Sequence, residues 1–339
     1  MKCGLERVLI VSDAWEPQVN GVVRTLSMTA AELRRMGHTV EVIGPDRFRT
    51  VACPTYPEIR LSLLPARRLA RIIESYMPCC LHIATEGPLG IAARRWARRR
   101  GHRFTTAFHT RFPDYLKART GIPTALSYAW LRRFHAPSAG MMVATASLRA
   151  ELAGRGFRNL RAWSRGVDID AFRPEPREVW NLPGPIFLYV GRVAVEKNIR
   201  AFLDLDLPGS KVVVGGGPQL AALTRAYPAV TFTGPRHGAD LARAYAGGDV
   251  FVFPSRTDTF GLVLIEALAC GTPIAAYPVT GPIDIITDPR VGATNTDLRL
   301  AALAALGGDR AACRAHAEGF SWRSSAEAFL GNLTLLRDS

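Results

Sequence analysis

No run in this 339-residue chain approaches the ~18 consecutive apolar residues of a membrane-spanning helix, and the N-terminus lacks a signal peptide's long apolar core. A cytoplasmic protein is expected. Cysteine is sparse: the six (Cys3, Cys53, Cys79, Cys80, Cys270, Cys313) show no metal-type spacing and are expected as reduced thiols. No low-complexity tract or internal repeat stands out. Acidic residues are what the first half has least of. Residues 1–170 hold 27 Lys and Arg against 13 Asp and Glu, and residues 171–339 hold 16 against 16, so the whole formal charge of +14 lies in the first half. So lopsided a charge points to an anionic contact for that half: a membrane surface, a nucleic acid or an acidic acceptor.

What is present reads as a globular α/β chain. Apolar residues make up 48% and charged residues 21%, and the length fits two domains of ordinary size. Short apolar runs at Val8 to Val11, Thr39 to Ile43, Cys80 to Ala84, Phe104 to Phe108 and Met141 to Thr145 alternate with helical patterns, among them Gly21 to Met36 and Pro88 to Arg100. A Pro-rich stretch over 166–185 reads as a hinge. Beyond it come runs at Ile186 to Val190, Lys211 to Val214, Val230 to Thr233, Val250 to Phe253 and near Ile274. Strands alternating with helices at this spacing predict two parallel, doubly wound sheets, one over 1–165 and one over 186–321.

The stretch from Pro254 to Pro273 carries the most chemistry. An apolar strand breaks into a polar loop, and a helix opens near Gly261 and stops at Gly271-Thr272-Pro273. Free amides at such a helix start suit a phosphate. Glu266 lies roughly 7–8 Å further along the axis, about the reach from a diphosphate to its ribose. A carboxylate there suits a vicinal diol. Alone, the unit could equally be an ordinary strand-loop-helix with two solvated acids. Gly191-Arg192-Val193-Ala194-Val195-Glu196-Lys197-Asn198 follows directly on a strand, where fixed cations could stabilise charge on a departing diphosphate. Val214-Gly215-Gly216-Gly217-Pro218 mimics a dinucleotide fingerprint, but Leu220 stands where the third glycine is needed. Asp168-x-Asp170 lies in the hinge without a neighbouring His or third acid and reads as structural, so no metal is expected.

Together these segments resemble glycosyltransferase family 4, the large GT-B family that also contains sucrose synthases and many bacterial mannosyl- and glucosyltransferases. The family's Glu-x7-Glu reads here as Asp258-x7-Glu266. The resemblance implies a GT-B fold, with two Rossmann-like domains facing each other across a cleft and a final helix (322–339) packing back on the first. It implies that Glu266 holds the donor ribose, that amides around Thr259, Phe260, Gly261, Leu262 and Val263 hold the diphosphate with Arg192 and Lys197, and that Asp258 faces the donor sugar. Gly191 and Gly217 fall on its glycine loops, and Thr233-Gly234 on the donor-base region. Asn20-Gly21 resembles the glycine loop facing phosphate and acceptor, and His109, ending a strand, falls on the active-site histidine.

The implied activity is retaining, metal-independent transfer of a hexose from a UDP- or GDP-linked donor, without a cofactor. The whole pattern looks closest to bacterial glycolipid synthases and GDP-mannose-dependent α-mannosyltransferases. Arg94, Arg95, Arg98, Arg99, Arg100 and Arg103 surround Trp96 and could lie on anionic lipid with the indole at headgroup level, or form a merely solvated helix face. The acceptor is therefore expected to be a lipid such as diacylglycerol or a lipid-linked sugar, and the protein to be peripheral at the inner face of the cytoplasmic membrane. A soluble or polysaccharide acceptor is the alternative within the class. Outside it stands a non-catalytic protein that binds nucleic acid or membranes through its arginines. That reading leaves the acid pair unexplained, and base-stacking aromatics among the basic residues are missing.

Overall fold

Every apolar run read as a strand is a strand in the computed structural model of the protein, which describes residues 6–18, 20–53, 56–176 and 179–337. The chain divides into two units: Met1–Ser164 with Trp322–Ser339, and Arg165–Ser321.

In the first unit the strands are β1 (Arg7–Val11), β2 (Thr39–Ile43), β3 (Thr50–Cys53), β4 (Tyr56–Ser62), β5 (Cys80–Ile83), β6 (Thr105–Phe108), β7 (Gly140–Val143) and β8 (Leu160–Ala162). Six of them form a sheet ordered β2-β1-β5-β6-β7-β8, parallel throughout, while β3 and β4 pair as an antiparallel hairpin. Such a sheet is covered on both faces, which is why β1 from Val8 to Val11 and β7 are continuous apolar stretches and not alternations. Val8 and Ile10 face a core built with Leu26 and Leu33 of α1 (Gly21–Arg35) and Phe329 of the C-terminal helix Trp322–Asn332. Leu9 and Val11 face the opposite core, built with α2 (Ala66–Tyr76), α3 (Pro88–Arg99) and Phe134. The same side continues through α4 (Phe112–Thr120), α5 (Thr124–His135) and α6 (Ala146–Gly154), where Tyr128, Leu131, Leu148 and Leu152 pack together.

The C-terminal helix is fixed at both ends of its packing. Ser325 Oγ donates to Ser164 O at 2.8 Å, and Phe329 packs at 4.9 Å from both the His82 and Trp163 rings. Among the described residues one cysteine departs from expectation: Cys79 is disulfide-bonded, whereas Cys80, Cys270 and Cys313 are free thiols; Cys3 lies outside the described residues. Spacing along the chain does not reveal a pairing that depends on tertiary placement.

The second unit holds β9 (Ile186–Val190), β10 (Ser210–Val214), β11 (Thr231–Gly234), β12 (Val250–Phe253), β13 (Ile274–Ala276) and β14 (Gly292–Thr294). They run parallel in the order β11-β10-β9-β12-β13-β14. Around them lie α7 (Arg200–Leu203), α8 (Leu220–Ala226), α9 (Gly238–Ala246), α10 (Leu262–Ala269), α11 (Pro282–Ile285), α12 (Leu298–Ala305) and α13 (Arg310–Glu318). The Asp-x-Asp of the hinge is a local turn, with Asp168 Oδ1 accepting from the amides of Asp170 and Ala171. Arg314 holds that segment by donating through Nη1 to the carbonyls of Ile169 and Phe172.

Candidate active site

The C-terminal edge of the second sheet gathers the charged residues, because in a parallel sheet every strand delivers its following loop to the same edge. The loops after β9 and β10 touch through bare backbone. Gly191 N donates to Val214 O, Val193 N to Gly216 O and Gly215 N to Gly234 O, extending the ladder beyond the strands. Glycine is needed for this approach. A Cβ on Gly215 would lie 1.8 Å from Gly191 O, and one on Gly217 2.4 Å from Val193 O. Thr233 Oγ1 donates to the carbonyl of Gly234, which closes β11 beside these loops with φ 74°.

A second pair of loops, after β9 and β12, is stapled by side chains. Lys197, in the short 3₁₀ turn Val195–Lys197, holds its Nζ 2.5 Å from Asp258 Oδ1. Asn198, in the left-handed region at φ 52°, donates from Nδ2 to Pro254 O, and Thr257 Oγ1 donates to Glu196 O. Among the described residues Asp258 Oδ2 and Ser255 Oγ are buried without a hydrogen-bond partner. Arg192 stands nearby with Nε 4.0 Å from Glu196 Oε1, and its carbonyl is held by the buried Tyr189 hydroxyl.

Gly261 caps α10 in a left-handed conformation, φ 87°, and leaves the amides of Leu262 and Val263 at the helix start. Phe260 is buried against Phe320, so only its backbone can serve a ligand, and the carbonyl of Phe260 packs so closely on Gly281 that a Cβ there would sit at 2.7 Å. Glu266 lies one turn inside the helix and is only 4% exposed. Its Oε2 accepts from the hydroxyl of the fully buried Tyr245 at 2.9 Å. Sequence reasoning missed Tyr245, which sits in α9 and reads there as an ordinary core aromatic.

The candidate residues of the first unit lie at its own C-terminal sheet edge. Asn20 is the N-cap of α1: its Oδ1 accepts from the amides of Val22 and Val23, with Gly21 opening the helix. His109 follows β6 and packs edge-on against Trp163, ring centres 5.6 Å apart. A further residue went unnoticed in the sequence. Asp13, just past β1, is buried, and its carboxylate accepts from Leu89 N, Gly90 N and Thr85 Oγ1, tying this edge to the start of α3. Burial raises its carboxyl above the ordinary range, and the α3 amides offset part of that. A strand followed by Ser-Asp was the only hint.

The arginine helix differs from expectation in one respect. Trp96 is 7% exposed and donates from Nε1 to Glu74 of α2, so it belongs to the core and cannot lie at headgroup level. Arg95, Arg98 and Arg99 are exposed, and Arg100 pairs with Glu74 over the Trp96 ring. Among the described residues no three His, Cys, Asp or Glu side chains gather in a cluster suited to a metal ion, and no helix is long and apolar enough to cross a membrane.

Comparison with known proteins agrees with this architecture. Residues 19–171 match the family described as Glycosyltransferase Family 4, and residues 184–306 match Glycosyl transferases group 1. The chain is 34% identical over 317 residues to a GDP-mannose-dependent alpha-mannosyltransferase of Mycobacterium tuberculosis, covering 86% of this chain and 83% of that one. It is 30% identical over 300 residues to the sulfoquinovosyl transferase SQD2 of Arabidopsis thaliana, covering 77% and 57%. The sucrose-phosphate synthase of Thermosynechococcus elongatus superposes with a TM-score of 0.71 at 20% identity, over 96% of this chain and 97% of that one, which shows a shared GT-B fold. The chain therefore belongs to glycosyltransferase family 4 and is a hexosyltransferase.

Proposed function

We propose that the protein transfers a hexose, with retention and without a metal, from a nucleoside-diphosphate sugar to a lipid acceptor at an anionic membrane surface. The observation that carries the donor half is the stapled edge of the second unit, where Lys197 and Asp258 touch and Glu266 is held by Tyr245. In this reading Glu266 accepts from the ribose hydroxyls. Arg192, Lys197 and the amides from Thr259 to Val263 hold the diphosphate, beside the glycines at 191 and 217. The backbone at Thr233 and Gly234 meets the base, and Asp258 and His109 face the sugar. Gly21 gives the acceptor and phosphate close access to backbone.

The acceptor oxygen attacks the anomeric carbon on the face from which the diphosphate departs, so one C–O bond forms as the other breaks. The acceptor proton passes to a departing phosphate oxygen. Arg192 and Lys197 stabilise the charge that grows on the leaving group, a role preorganised cations fill without a metal. Lys197 already faces an acid, so donor phosphate must share or displace Asp258. GDP-mannose is the favoured donor, because a relative named for it is 34% identical over most of both chains. The lipid acceptor rests on the charge of the first half and on a 27% identical relative, over 96% of both chains, named as a phosphatidylinositol dimannoside mannosyltransferase of Mycobacterium tuberculosis.

Thermal shifts with GDP, UDP and ADP, followed by transfer of labelled sugar into lipid extract, test this. A ligand at a hundred times its Kd stabilises by about 2.7 kcal/mol, enough to rank the three bases. Glu266→Ala is expected chiefly to raise the donor KM, and Lys197→Ala chiefly to lower kcat. Unchanged kinetics in both variants would remove the site assignment.

A further inference from the structure

In the first unit α3 and α5 form one outer surface that is basic on one side and apolar on the other. On α5, Leu126 is 66% exposed and Trp130 44%. Four residues apart, they share a face with the exposed Ala125, Ala129 and Arg133, while Tyr128, Leu131 and Phe134 point into the core. Single exposed apolar residues are ordinary, but a leucine and a tryptophan side by side on one helix face are a patch. The basic side is α3, whose Arg95, Arg98 and Arg99 share its outer face. With Arg94 they line a shallow hollow of about 270 Å³ that no acidic residue enters.

The two sides are joined. Arg94 donates from Nε to Phe134 O and from Nη2 to Arg133 O, and its guanidinium lies over the Phe134 ring. Phe134 also stacks with Trp130, ring centres 5.9 Å apart and planes inclined by 30°. Neither α3 nor α5 contains an acid. Burial, and after it the nearby charges of Arg98, Arg133 and Arg95, push the proton affinity of Arg94 down. A surface that concentrates like charge so closely is suited to anions, and an apolar strip beside it is suited to acyl chains.

We propose that this α3–α5 face docks on an anionic phospholipid bilayer, with Leu126 and Trp130 entering the headgroup–acyl boundary and Arg95, Arg98 and Arg99 meeting the phosphates. This rests on the reading of a membrane acceptor and moves its contact from Trp96 to Trp130. An indole at the interface keeps its N–H wet and its rings in the apolar layer, and the arginine stems extend beside it.

The test uses the full chain with vesicles of phosphatidylglycerol and phosphatidylcholine, against phosphatidylcholine alone. Expected is sedimentation with the anionic vesicles only. Leu126→Gln with Trp130→Gln is expected to weaken it about tenfold or more, since withdrawing two such side chains from apolar contact exceeds one tenfold step in affinity. Arg95→Gln with Arg98→Gln and Arg99→Gln is expected to remove the preference for anionic lipid. Brominated lipid should quench fluorescence of the protein, and Trp130→Phe should abolish most of the quenching. All variants should melt as the parent does and keep its nucleotide-induced thermal shift, which separates a failure of docking from a failure of the donor site. Vesicle binding that ignores Leu126→Gln with Trp130→Gln would overturn the proposal while leaving a membrane acceptor standing. A parent that ignores vesicles but forms a dimer split by the same variant would overturn it in favour of a second copy on this face. No binding and a monomer would overturn both.

Discussion

At the scale of single residues, the groups that matter most to the candidate site are those whose surroundings decide their chemistry. Glu266 is a carboxylate in a nearly closed environment, and the Tyr245 hydroxyl holds one of its oxygens. Tyr245→Phe removes that donor and keeps the ring. A buried acceptor that loses its partner costs about 1–3 kcal/mol. The expected outcome is a donor KM raised roughly tenfold at nearly constant kcat, with a smaller loss for a donor lacking the ribose 2′-hydroxyl. Equal losses for both donors would show that Tyr245 serves only the core. Glu266 was legible because its spacing from Asp258 and from a glycine helix start has a chemical reason. Tyr245 was not, because a tyrosine 21 residues upstream becomes its partner only when α9 and α10 are placed side by side.

Asp13 gives a pH prediction with a definite sign. Its folded carboxyl is raised, first by burial, so the folded state binds this proton more tightly than the unfolded state does. Its contribution to stability is then fully present below the unfolded value of about 3.9 and is lost as pH climbs through the folded one. Urea unfolding of the parent and of Asp13→Asn, from about pH 4 to about pH 7, should show the parent falling relative to the variant as pH rises. A parent that gains on the variant over that range would mean the α3 amides outweigh burial. Thiol chemistry follows the same logic: burial pushes Cys80 and Cys313 up to about 12, so neither should be alkylated by iodoacetamide in the native protein at about pH 8.

At the scale of elements, most of the fold could be read from the chain, and the omissions share a cause. Val8 to Val11 of β1 and the whole of β9 and β12 are unbroken apolar runs, because both faces of a parallel sheet are buried. The hairpin of β3 and β4, whose exposed Val51 and Arg60 give no apolar run, left no such trace, and neither did the three-residue edge strands β8 and β14. Trp96 shows the converse limit. Its neighbours are arginines, but the helix turns the indole inward to Glu74, and the exposed tryptophan is one helix away in α5. The glycine crossing between the loops after β9 and β10 yields a firm expectation. Gly215→Ala places a methyl at 1.8 Å from Gly191 O, which backbone must move to relieve. Overpacking of this kind costs typically about 1–3 kcal/mol, and here it also shifts the backbone that carries Arg192. The variant should melt earlier and lose the nucleotide-induced thermal shift. Retention of that shift would separate the crossing from donor binding.

At the scale of the whole molecule, the chain's last helix belongs to its first unit, so the core on one face of the first sheet is completed only after the second unit has been made. Phe329 and Ala326 are fully buried there, packed with Val8, Ile10, Leu26 and Trp163. The helix is too short to be stable alone, so tertiary packing must hold it. Two further bonds tie it in: Asn332 Nδ2 donates to Ala162 O, and Leu336 N to Cys79 O. Phe329→Ala should therefore act on one unit. A buried Phe→Ala change costs about 3–5 kcal/mol, a large share of what holds a domain of this size together. Unfolding followed by hydrogen exchange should show β1, β5 and α1 losing protection in the variant, with β9, β12 and α10 keeping theirs. Nucleotide should still protect the second unit, because the residues assigned to the donor diphosphate and ribose lie within Arg165–Ser321. Loss of protection throughout both units would show instead that the two unfold as a single cooperative body.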